Sequence, residues 1–198
     1  MKKNYSTLAP FKCICIFLLV TLPVLLAAVL FSRSQVAFFV FNFLTGMLGW
    51  TYLEYHIHRF LTHSKKSDSN QLAFQMHKNH HKHPMEIKVT GKQRMVLFSV
   101  SAVLFTVAIF WNGYFTIFTG LEIGFAYSFF SHWALHQAWS KRLFPHLHQY
   151  HIHHHCKYPD RCFGFSTIFW DIVFRTTPPK NAVISDRIIQ FYYGHHNH

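Results

Sequence analysis

Apolar positions fall into four long uninterrupted runs, and the charges crowd into the gaps between them. Residues 13–31, 36–53 and 95–111 carry no charged side chain, and 114–133 carries one acid, Glu122. A helix needs roughly 20 apolar residues to cross the hydrocarbon core of a bilayer. These runs fit that length with little slack. The pattern predicts an all-α integral membrane protein with about four transmembrane helices, arranged as two hairpins. Lys2, Lys3 and Lys12 precede the first run, as they would in a signal peptide. That run is longer than a signal h-region and no small-residue cleavage site follows it, so residues 1–35 read as a tail and a first anchor. Residues 163–174 are apolar but too short to span, which suits an interfacial position.

Composition sharpens this picture. The chain is 51% hydrophobic and 19% aromatic, yet its formal net charge is +12. In a four-span arrangement, 18 of the 19 Lys and Arg residues lie on one side, and Arg33 alone lies on the other. The positive-inside rule makes the first side cytoplasmic, together with the N-terminus. The basicity therefore suits anionic lipid headgroups. It does not indicate nucleic acid, because no nucleic-acid-binding module pattern is present. Cys13, Cys15, Cys156 and Cys162 lack the paired spacing of a zinc ribbon and read as reduced thiols.

Histidine carries the chemistry. Ten of the 18 fall into four ordered clusters: His58 and His63; His77, His80 and His81; His132 and His136; His151, His154 and His155. Neutral imidazole is a favoured ligand for iron, zinc and copper. Helical neighbours at i, i+3 and i+4 share a face, so three of the clusters converge on a helix. His58 and His63, at i and i+5, cannot share one on a regular helix. Either the helix ends between them or a local bulge re-aims one. Ten ligands exceed what one ion takes and imply two metals. An even division gives each five nitrogens and one open position, but spacing leaves the assignment of each histidine open. With 7 acidic residues in the chain, carboxylates are scarce. Glu54 shares the face of His58 and is expected to accept a ligand's second ring N–H. Asp171 and Asp160 are expected in similar roles. Glu122, inside a span, stays unassigned. His56, His83, His146, His148 and His153 are expected outside the ligand set, and the histidines of the C-terminal tail are read as surface residues.

The order and spacing of these clusters resemble the fatty acid hydroxylase / sterol desaturase superfamily, and within it the fatty acid 2-hydroxylase branch. Residues 54–63 read EYHIHRFLTH, 131–136 read SHWALH, 149–155 read QYHIHHH and 163–176 read FGFSTIFWDIVFRT. The resemblance covers roughly residues 36–177 and fills all ten ligand positions. It departs from the family after the second cluster, where residues 84–91 read PMEIKVTG. It implies a catalytic domain over 36–177, followed by a tail over 178–198. It also implies a cytoplasmic helical cap that holds the dimetal site. The expected cofactors are two iron ions, which zinc could replace in recombinant protein, with molecular oxygen as co-substrate. The implied reaction hydroxylates a C–H bond of a fatty acyl or sphingolipid chain. The substrate is then a membrane lipid. No flavin, haem or iron–sulfur motif is present, so a separate cytochrome b5-like or ferredoxin-like donor supplies electrons.

Two other readings remain open. A desaturase or sterol oxidase would use the same ligands. A histidine-rich metal transporter or metal-binding protein would use them differently, but transporters place ligands near the bilayer midplane. Here the clusters lie at or outside one membrane face.

Overall fold

A computed structural model describes residues 36–63, 72–85, 91–110 and 113–194, with the isolated positions Cys15, Leu19, Leu22, Leu26 and Leu30. Most of the first apolar run, the polar stretch 64–70 and the tail histidines lie outside these described residues. The elements are helical: α1 (Val36–His56), a π-helical segment (Ile57–Thr62), α2 (Leu72–Lys82), α3 (Gly91–Phe110), a 3₁₀ turn (Gly113–Phe115), α4 (Thr116–Leu135), α5 (Ser140–Leu143), α6 (Pro145–Cys156), α7 (Phe169–Val173) and α8 (Asp186–Gly194). Pro145 starts α6, where its missing N–H costs nothing. His83 and Pro84 follow the end of α2, as the restricted backbone before proline requires.

The chain divides into two compact units, Met1–Trp50 with Lys88–Phe130 and Thr51–Ile87 with Ser131–His198.

The first unit is built inside out relative to a soluble protein. Asn42, Thr116, Thr119, Glu122 and Ser128 are buried, while Val40, Phe41, Leu44, Leu48, Phe118 and Phe129 are exposed. In a bilayer there is no hydrophobic drive between helices, so small and polar residues gather at the contacts. Gly46 and Gly120 show this directly. A Cβ on Gly46 would lie 2.0 Å from the Ile117 carbonyl oxygen, and one on Gly120 would lie 2.0 Å from that of Phe43. Trp50 closes the contact by donating its indole N–H to Ser128 Oγ at 2.6 Å. One helical stretch among the described residues, Val36–Thr62, is long and apolar enough to cross a membrane.

The second unit has a mixed core. Tyr55, Leu135, Ile152, Phe163 and Tyr192 are buried together with His136, His151, His154 and Asp171. Its C-terminal part departs from the tail expected over 178–198. Residues 186–194 form α8, and Tyr192 is fully buried. The Arg, Ile, Gln, Phe and Tyr composition of this stretch is too short and mixed to announce a packed helix, and burial of Tyr192 is what orders it. Cys15, Cys156 and Cys162 are free thiols.

Candidate metal centre

All ten clustered histidines belong to the second unit and gather into two groups of five. His58, His63, His77, His81 and His154 form the first. His80, His132, His136, His151 and His155 form the second. Within each group, the ligand atoms all lie within 4.8 Å of one another. Among the described residues, none of His56, His83, His146, His148 or His153 joins either group.

The two three-histidine clusters split between the groups instead of converging on one face, and helix geometry gives the reason. Residues on an α-helix are separated by about 100°, so i and i+4 diverge by only about 40° while adjacent residues diverge by about 100°. His77 and His81 therefore aim together, and His80 aims at the other group. In α6, His151 and His155 pair in the same way, and His154 crosses over. Each H-x-x-H-H cluster serves both groups. Of the two ways the i, i+5 spacing left open, a helix end or a bulge, the structure takes the bulge. Residues 57–62 are π-helical, with His58 just inside this segment and His63 just after it. A π-turn bonds i to i+5 and so brings these two onto one side. Their ring centroids lie 5.1 Å apart.

The nitrogen spacing fits a metal and fits hydrogen bonding poorly. His77 Nε2 lies 3.0 Å from His58 Nε2, 2.7 Å from His63 Nε2 and 2.9 Å from His81 Nε2. In the second group, His80 Nε2 lies 3.0 Å from that of His132 and 3.1 Å from that of His136, which is 2.9 Å from His151 Nε2. One ring nitrogen holds one proton or one lone pair, so His77 cannot satisfy three such neighbours. Metal–nitrogen bonds of about 2.1 Å at right angles put neighbouring nitrogens about 3.0 Å apart. Both ring nitrogens of His155 are buried with no hydrogen-bond partner, a costly state that a cation relieves.

Backbone carbonyls fix the tautomers of two rings. His58 donates Nδ1–H to the Phe163 carbonyl at 2.5 Å, and His154 donates to that of Arg161 at 2.7 Å. Both then turn an Nε2 lone pair into the first group. For His58, the role expected of Glu54 thus falls to a main-chain oxygen. Glu54 is buried and accepts the backbone N–H groups of Phe165 and Ser166, each at 3.0 Å, and the Ser166 hydroxyl. Asp171 accepts from Phe163 N–H at 2.9 Å, Gly164 N–H at 2.8 Å and the Thr176 hydroxyl at 2.7 Å. The two carboxylates hold the loop that carries the Phe163 carbonyl. A Cβ on Gly164 would lie 2.0 Å from the Thr167 carbonyl oxygen, so the loop closes only with glycine. Phe165 stacks on His132, with ring centroids 4.8 Å apart. Asp160 is exposed.

A model of the fatty acid hydroxylase family matches residues 43–176, a span that holds all ten of these histidines. The chain belongs to the fatty acid hydroxylase family. The dihydroceramide fatty acyl 2-hydroxylase FAH1 of Arabidopsis thaliana is 32% identical over 149 residues, which are 69% of this chain and 60% of that protein. The fatty acid 2-hydroxylase of Mus musculus is 34% identical over 166 residues, 73% of this chain and 41% of that one. The chain therefore spans less than two thirds of the length of these curated relatives. A solved structure described as full-length scs7p, with only the hydroxylase domain visible, aligns with a TM-score of 0.64 at 26% identity. It covers 89% of this chain and 69% of its own.

Burial keeps the histidines of this hydroxylase-family site neutral, the form that binds metal. It pushes His63 and His80 down to about 4 and, with the neighbouring His63 and His80 charges, His81 down to about 3. Burial and the charges of His58 and His81 also lower His77. In the unfolded chain these rings titrate near 6.5. As pH falls below about 6.5 the unfolded chain takes up protons that the fold refuses, so stability is lost on the way down toward about 4. Thermal unfolding in detergent, followed by tryptophan fluorescence, should show a midpoint that is flat above about pH 7 and falls steadily below about 6.5. A midpoint unchanged down to pH 5 would contradict the neutral packing of these rings.

Sequence reasoning missed the carbonyls of Phe163 and Arg161, which have no signature in residue type. It also missed Tyr192, which lies beyond the family-matched segment. Glu54, by its helical spacing from His58, and Asp171, from the C-terminal segment, are expected as partners of ligand histidines, and both hold a loop instead.

Proposed function

We propose that this protein is a membrane-bound di-iron, oxygen-dependent lipid hydroxylase acting on a C–H bond of a fatty acyl or sphingolipid chain. The observation that carries this reading is the pair of five-nitrogen groups, each one ligand short of six-coordination. The ten histidines His58, His63, His77, His80, His81, His132, His136, His151, His154 and His155 would hold the two irons. When bound, iron supplies the activation of molecular oxygen and the removal of hydrogen from carbon. The chain supplies the rest. Carbonyls of Phe163 and Arg161 orient two imidazoles, and the rings of Phe163 and Phe165 pack on the histidines and exclude water. Relatives named as acyl and fatty acid 2-hydroxylases support the lipid substrate.

The same reading places the apolar runs as about four spans, with residues 36–177 as the catalytic segment and the histidines and N-terminus on the cytoplasmic side. The inside-out packing of the first unit supports the membrane setting. Electrons come from a separate cytochrome b5-like or ferredoxin-like donor.

Mass spectrometry of membrane lipids from cells expressing the chain, a His155→Ala variant or an empty vector tests this. The expected result is an acyl or sphingoid lipid that gains one oxygen with the wild type alone. Loss of two hydrogens would move the assignment to a desaturase. No lipid change, in a host shown to supply iron and a compatible electron donor, would overturn the enzymatic reading in favour of metal handling.

A further inference from the structure

The last described helix carries two adjacent tyrosines that the family-matched segment does not include. Tyr192 is fully buried, and its ring lies nearly parallel to that of His136, with centroids 5.5 Å apart and planes at 17°. Its hydroxyl donates to the Leu135 carbonyl at 3.2 Å. With that proton on the carbonyl, the 2.8 Å contact with His136 Nδ1 is a bond donated by the imidazole, in the tautomer that leaves Nε2 free to face His80 and His151. The chain Nδ1–H to Oη–H to C=O fixes the tautomer of His136 and leaves Nε2 as the lone pair beside His80 and His151. Tyr193 pins the same helix. Its hydroxyl lies 2.6 Å from His148 Nε2, and their rings stack at 19°.

We propose that Tyr192 is a positioning residue for the second histidine group, holding His136 in its metal-binding tautomer, so that α8 is a working part of the centre. This rests on the two-metal reading above. For His58 and His154 of the first group, main-chain carbonyls do the same work. In the second group a side chain from the C-terminal helix does it for His136. Partners of this kind are typically worth about 10–100-fold in metal affinity.

Tyr192→Phe tests this, because it keeps the stacked ring and removes only the hydroxyl. The full chain is purified in detergent, loaded with ferrous iron, and challenged with a chelator while released iron is counted. Wild type should release two equivalents. The variant should release one of them about 10–100-fold faster and the other at the wild-type rate. In a His80→Ala background, which disables the second group, Tyr192→Phe should leave the remaining equivalent unchanged. Two equivalents released at wild-type rates would overturn the proposal. Equal acceleration of both would also overturn it, since that marks a general loss of structure. A wild-type protein holding fewer than two equivalents would instead overturn the two-metal reading and this inference with it.

Discussion

Alanine at His77 and alanine at His80 are each expected to abolish lipid hydroxylation, but to remove a different metal equivalent. His77 Nε2 lies within 3.0 Å of three first-group nitrogens, and His80 Nε2 within 3.1 Å of two in the second. Losing even an outer hydrogen-bond partner costs up to about 100-fold, so losing a central ligand should take activity below about one-hundredth of wild type. Metal analysis of the purified variants separates the two cases. Each should keep close to one equivalent, and a cobalt-loaded sample should keep the visible spectrum of the intact group only. Membrane insertion should be unaffected, because neither residue lies in an apolar run. A variant that retains both equivalents would refute the partition into five and five.

Asp171→Asn should cost about 2 kcal/mol of stability and loosen the first metal as well. The carboxylate is fully buried and accepts three hydrogen bonds, two of them from the main chain of Phe163 and Gly164. An amide of the same shape turns one acceptor into a donor and sets it against an N–H. Leaving a buried donor unsatisfied costs about 1–3 kcal/mol. The damage is then passed on. Phe163 also offers the carbonyl that orients His58, so chelator-driven release of the first equivalent should speed up. Thermal unfolding and metal release measured together check this. Asp160→Asn, at an exposed position, should change both little.

The four histidine clusters were legible because ligand chemistry restricts residue type and helices restrict spacing. The i, i+5 separation of His58 and His63 even announced a defect in the helix, which takes the form of the π-turn at Ile57–Thr62. Which group each histidine joins follows from the 40° and 100° angles only once the approach of each helix is known, and spacing alone does not supply that. The roles of Glu54 and Asp171 were half legible. Buried acids near a histidine cluster signal a hydrogen-bonding task, but not whether the partner is an imidazole or a loop amide. Carbonyl partners carry no side-chain signature at all. The helix at Asp186–Gly194 escaped because its apolar stripe is short and its one decisive contact, Tyr192 with His136, joins residues far apart in sequence.

The division of each H-x-x-H-H cluster has a mechanical consequence. His80 and His81 are neighbours in sequence and serve opposite groups, as do His154 and His155. Consecutive Cα atoms are held about 3.8 Å apart by a trans peptide. The two groups are therefore riveted together at two points by covalent bonds, and the rings of His81 and His155 stack across the seam at 4.3 Å. Two metals held by these groups would have their separation set by the polypeptide itself. Exchanging what lies between the two groups should leave their spacing nearly constant, while inserting a single residue between His80 and His81 should turn His81 away from His77 and uncouple the groups at that point.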